Sequence, residues 1–146
     1  MLAAGAAGVV ALTVPAEAGK ATSAYYGRWT VDEEKPIFTE RGRAYKTIDV
    51  APCGKDFCGV SVDDNGRCGA VMFRFLGAHA NTETLRGHGR WGAERKNVVI
   101  YSYGVDGVPG FELYLGDGAN MGGRSGSMPK FHTQYRRLGN ARCTAK

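Results

Sequence analysis

Four cysteines beyond a short apolar leader constrain this chain more than any other feature. Leu2–Val14 is an uncharged apolar run of 13 residues. Pro15 interrupts it, and Ala16-Glu17-Ala18 has the small-x-small pattern that signal peptidase cleaves. A run this short falls below the roughly 20 residues a helix needs to cross about 30 Å of hydrocarbon, so no membrane span is expected. The alternative is a buried N-terminal helix, and Gly5 and Gly8 work against it. No Lys or Arg precedes the run, which sets it apart from the usual charged start. No cysteine follows the cleavage point, so a lipid anchor is not expected. The reading is a signal peptide at 1–18 and one domain at 19–146, exported to the periplasm or secreted. Its 128 residues suffice for one hydrophobic core, and a monomer is expected.

In an oxidising compartment Cys53, Cys58, Cys68 and Cys143 become a disulfide framework with three possible pairings. Cys53 and Cys58 flank Gly54-Lys55-Asp56-Phe57, a four-residue loop that their bond would staple. Asn65-Gly66 is a type I′ hairpin signal. A turn centred there sets Asp63 opposite Cys68 and Cys58 opposite Phe73, which puts Cys58 out of reach of Cys68. Cys53–Cys58 and Cys68–Cys143 remain, and the second, closing the longer loop, is expected to matter more. A redox or zinc site is not expected: there is no C-x-x-C, and gaps of 4 and 9 residues fit no common zinc spacing.

Beyond the leader the chain reads as strand after strand. The expected runs are 25–31, 44–51, 57–62, 68–76, 82–91, 97–103, 110–115 and 130–138, with a short extra strand possible at 36–40. They are rich in Val, Ile, Tyr, Phe and Thr, and Gly, Asn and Asp clusters separate them. No long window holds a helical apolar period. Alternation puts Val71, Phe73 and Phe75 on one face, and Phe111, Leu113 and Leu115 on another. In the fifth run the inward set is Leu85, Gly87, Gly89 and Trp91, against Arg86, His88 and Arg90. Two glycines on an inward face leave room for a neighbouring ring or a ligand. A strict four-residue loop at 54–57 pairs Val50 with Ser61, and a bulge at Pro52 would be needed to restore the apolar match. Eight short strands in a chain of this size predict an all-β fold, an up-and-down antiparallel barrel with two disulfides, in which the last strand meets the first. A sandwich is the alternative.

Gly27-Arg28-Trp29 on the first strand and Tyr135-Arg136-Arg137 on the last resemble the lipocalin-type (calycin) signature. The resemblance implies that Trp29 packs against an arginine of the final strand and plugs one barrel end. Arg137, on the face of Tyr135, is the expected partner, with stacking worth about 1–2 kcal/mol. The chain is also similar to a family of small exported bacterial proteins of unknown function. The likeness runs through Gly27-x-Trp29, the Cys53-Gly54 and Cys58-Gly59 hairpin and the aromatic-x-Arg end, across most of 25–138. It departs in using Tyr135 where that family has Trp, and in adding Cys68 and Cys143. It implies a lipocalin-like barrel in the cell envelope and supplies no activity.

Candidate chemistry is sparse. His79, His88 and His132, separated by 9 and 44 residues, match no helix-borne metal motif. Asp49, Glu83, Asp106 and Glu112 form no recognisable acid–base pair. Ser61, Ser102, Ser125 and Ser127 lack a nucleophile-elbow context. An enzyme is not expected, nor any metal or cofactor. The stretch 116–130, with five glycines, is long for a barrel connection and reads as a mobile loop, as a lid or partner contact at the mouth, or as an anion nest with Arg124 and Lys130. Tyr101, Tyr103 and Val99 share a face that would either line a wet cavity or lie outside the barrel.

The formal charge is +5, rising to +6 without the leader, which has one acid and no base. The cations are dispersed in pairs such as Arg95-Lys96, which suits a solvated surface, and no nucleic-acid partner is expected. Two functions follow. The first is a periplasmic barrel holding a small, partly apolar molecule against Phe73, Phe75, Leu85, Trp91, Ile100, Phe111 and Leu113. The second is a filled barrel without a pocket, acting on an envelope component through its basic surface.

Overall fold

A computed structural model describes residues 23–32, 40–77, 82–118 and 130–145. The leader, most of the 36–40 strand and of the 116–130 stretch, and His79, Ser125 and Ser127 lie outside the described residues. Eight strands follow in order: β1 (Gly27–Val31), β2 (Thr47–Cys53), β3 (Asp56–Val62), β4 (Cys68–Phe75), β5 (Thr84–Trp91), β6 (Glu94–Val105), β7 (Val108–Gly116) and β8 (Phe131–Gly139). Each pairs antiparallel with the next, and β8 pairs with β1 to close the barrel. A single helical turn, α1 (Glu40–Arg43), takes up Glu40, expected at the end of a short strand, and β2 begins at Thr47 rather than at Ala44. Among the described residues no helix is long and apolar enough to cross a membrane.

Alternating side chains fill the interior. Trp29, Tyr45, Ile48, Phe57, Phe73, Phe75, Leu85, Ile100, Phe111, Leu113, Leu115 and Tyr135 are all below 2% exposed or at that limit. Trp29 and Arg137 are cross-strand partners at the β1–β8 seam. The Arg137 guanidinium runs beside Gly27, where a Cβ would sit 2.8 Å from its Nε. That crowding gives the glycine of Gly27-x-Trp29 a steric reason. The indole itself donates to the Tyr25 carbonyl at 2.8 Å and meets the edge of Phe111, centroids 4.7 Å apart.

Both disulfides, Cys53–Cys58 and Cys68–Cys143, are formed, which suits a non-reducing compartment. The hairpin registers differ from those expected. Cys53 pairs with Asp56, so Gly54-Lys55 is a two-residue turn with Gly54 at positive φ, and Val50 faces Gly59 rather than Ser61. Pro52 pairs in step with Phe57 and no bulge is needed there. Cys58 lies opposite Arg74, not Phe73. At Asn65-Gly66 only the glycine has positive φ, so this is not a type I′ turn. Asp63 instead organises the loop, its carboxylate accepting the Asn65 and Arg67 amides at 2.9 and 2.8 Å. The type I′ geometry belongs to Asp106-Gly107, both at positive φ, which joins longer β6 and β7 strands than alternation suggested.

The largest departure lies in β4. Gly59 pairs with Phe73 but Val60 with Val71, leaving Met72 as an extra residue in a bulge. Met72 therefore joins the barrel core, while Val71, expected inside, packs outside with Val60, Val62, Cys143 and Ala145. The C-terminal tail covers that outer patch.

Candidate functional site

The seven residues expected to line a pocket are brought together, in one cluster. Six of them are no more than 2% exposed; Trp91 is partly buried and packs against Tyr45 and Phe131 near one barrel end. The space beside the inward glycines is taken by side chains. A Cβ on Gly59 would lie 2.2 Å from the Phe73 ring, and one on Gly87 2.7 Å from the Phe75 ring. One on Gly89 would strike Val98 at 2.4 Å. Thr133 is the buried side chain whose hydroxyl lacks a hydrogen-bond partner among the described residues.

The outside of the barrel is less uniform. Tyr101 meets Tyr114 edge-on at 5.8 Å, and Tyr114 stacks on His132 at 4.1 Å. Their strand positions alternate with the core residues, so Tyr101 and Tyr103 belong to the outer face and not to a wet cavity. Among the described residues no group of three His, Cys, Asp or Glu side chains is placed to hold a metal.

The β4–β5 seam is where the closed barrel is weakest. Its ladder has two pairs, Phe73 with Gly89 and Arg74 with His88, whereas β5 and β6 share eight. The Met72 bulge changes the step of β4 at this point. The Tyr45 hydroxyl reaches between the strands, donating to the Arg90 carbonyl and lying 3.4 Å from that of Met72. One phenol thus serves two carbonyls that a continued ladder would place opposite each other. Burial raises the Tyr45 phenol well above its ordinary range, and the bond to Arg90 opposes only part of that rise. The phenol is therefore a neutral donor at neutral pH.

Beyond this phenol the strands part, and Cys68, Gly69 and Ala70 of β4 are exposed. One cleft of about 490 Å³ lies over the outer seam, where Val71 and Met72 meet Arg74, His88, Arg90 and Arg95. A second, of about 430 Å³, sits at the open end between Ala70, Met72, Arg90, Gly92 and Arg41 of α1. They share Met72 and Arg90 and form one groove. Gly92-Ala93 is a two-residue turn with Gly92 at positive φ, and it places Arg90 directly opposite Arg95. Like charges directly opposed across an antiparallel pair disfavour the sheet. Arg41 has Glu94 at 3.6 Å and Arg74 has Asp56 at 2.8 Å, but neither Arg90 nor Arg95 has an ion-pair partner among the described residues. Glu94 itself is shared with Lys96 at 2.8 Å, whose hydrogen bond holds its carboxyl below the ordinary range. Glu94 also lines the first cleft, already engaged by Lys96 and Arg41. The groove is therefore a concave, solvent-open site with an apolar floor, this one engaged carboxylate, and Arg90 and Arg95 without a counter-charge among the described residues, a balance suited to an anion.

Sequence alternation put His88 and Arg90 on the outer face correctly. It missed Arg95 and Arg41, although Gly92-Ala93 read as a hairpin turn would have opposed Arg90 to Arg95. No protein-family model, curated protein or solved structure gives a significant match to this chain.

Proposed function

We propose that the protein is an exported binding module, with residues 1–18 as its signal peptide, acting in the periplasm or outside the cell. It takes an anionic envelope component in the arginine-lined groove at the β4–β5 seam. The observation that carries this reading is the interior, where Phe73, Phe75 and Val98 occupy the space beside Gly59, Gly87 and Gly89. A barrel packed in this way offers its surface rather than a cavity. The opposed Arg90 and Arg95 add the chemistry, since a pair unfavourable to the fold gains from an anion laid across it.

The test is calorimetric titration with dextran sulfate. The wild-type protein should bind at low ionic strength and lose affinity as salt rises. Arg90→Ala with Arg95→Ala should weaken binding at least about tenfold without loss of stability, because the removed charges repel each other. Absence of binding, or undiminished binding by the double variant, contradicts the proposal.

One observation favours the rival, an interior ligand: the buried Thr133 hydroxyl without a partner. In a dry, filled barrel Thr133→Val removes an unsatisfied group and should raise stability by about 1 kcal/mol in urea denaturation. A loss of similar size would mean that the hydroxyl is bonded to an interior guest.

A further inference from the structure

We infer that the groove's partner is an extended acidic polypeptide that adds a strand to the open edge of β4; this rests on the groove being the binding site. The edge and the charges carry it together. In the strand segment Cys68–Val71 the two end residues pair with Val62 and Val60 of β3, with a register slip between them, and none of the four pairs with β5. Four residues at regular strand rise would span about 13 Å; here the span is shorter, because the three steps from Cys68 to Val71 face only the two from Val62 to Val60. Cys68, Gly69 and Ala70 are exposed; Gly69 carries no side chain, a Cβ there would meet Ser61 Oγ at 2.2 Å, and the methyl of Ala70 is small, so the edge admits close approach. Closed barrels ordinarily remove such edges, and an uncovered one is a template for pairing.

The guanidinium groups select what can pair. Arg41 and Arg90 stand at the mouth of the groove and Arg95 beside it. They repel a second copy of this basic chain and a cationic strand, and attract carboxylates. In an added strand, alternate side chains point to one face about 7 Å apart. Glu or Asp at every second position would present a row of carboxylates to these arginines, while main-chain hydrogen bonds to β4 supply the rest of the affinity. A flexible polyanion without peptide groups would use the arginines alone.

The test uses the oxidised full-length domain and a capped octapeptide alternating Glu and Thr. Two further peptides carry N-methyl groups on every second amide, one on each parity, and dextran sulfate serves as the polyanion without amides. Strand addition predicts that the parent peptide binds and slows amide exchange at Gly69–Met72. One N-methyl parity should lose at least about tenfold in affinity while the other binds nearly as the parent does, because alternate amides of a strand face opposite ways. Equal affinity of all three peptides, or binding of dextran sulfate with none of the peptide, overturns strand addition and leaves the anion-binding groove standing. Failure of both the peptides and dextran sulfate overturns the groove as well.

Discussion

Replacing Cys68 and Cys143 together by alanine should lower the free energy of unfolding by about 4–5 kcal/mol, against about 2 kcal/mol for removing the Cys53–Cys58 pair. The difference comes from loop length. Cys68–Cys143 joins residues 75 apart in sequence, whereas Cys53–Cys58 joins residues 5 apart across a hairpin that its own turn already holds. The long bond also fastens the tail on which Cys143 is buried against Val60 and Val62. Urea denaturation of the two double variants, compared at equal slope, measures both losses. Equal losses would contradict the loop-length argument.

Asp49→Ala should cost about 3 kcal/mol and abolish an acid-sensitive part of the stability. The side chain of Asp49 is fully buried although it points away from the barrel core, because the tail lies over it. Its two oxygens accept Nε and Nη2 of Arg28 at 2.7 and 2.8 Å, and one of them also accepts the amides of Arg142 and Cys143 at 2.8 and 2.7 Å. Alanine orphans two backbone donors and leaves Arg28, itself largely covered, without its partner. Burial pushes this carboxyl up, but the Arg28 guanidinium and the two amides together outweigh it and hold it below the ordinary 3.8. A depressed carboxyl stabilises the fold above the unfolded-state value, and that contribution disappears as pH falls through the folded value. Wild-type stability should therefore drop below about pH 4, and Asp49→Ala should flatten that drop. Urea midpoints between pH 2 and 6 read the effect, and an unchanged acid slope in the variant would contradict it. Because Asp49 and Cys143 hold the same tail, removing both should cost less than the two losses added.

The barrel was legible because its determinants are local. Period-two alternation in Phe111–Leu115 and glycine-bearing turns suffice to place strands, and the β1–β8 pairing decides for the barrel over the sandwich. The disulfide pairing was reached through an incorrect register: Cys58 faces Arg74 instead of Phe73, yet either position keeps it far from Cys68. What escaped depends on distant partners. Asp49 reads as a surface acid until the tail, 93 residues on, is laid across it. Tyr45 reads as a strand residue until its hydroxyl is seen to serve carbonyls on β4 and β5. The Met72 bulge has no local sign, since Val71 and Met72 are both apolar and each suits either face. The same holds for the groove, which exists because a long-range phenol ends a ladder.

Methyl-resolved NMR of the oxidised domain tests most directly whether this barrel is full and works from its surface. Spectra of Leu85, Ile100, Leu113, Thr133 and Met72 methyl groups would be recorded first with decanoate and then with dextran sulfate. A packed interior predicts that decanoate moves none of the first four, and that dextran sulfate shifts Met72 alone among the five. Saturable shifts of Leu85, Ile100 and Leu113 with decanoate would show a guest inside and contradict the account.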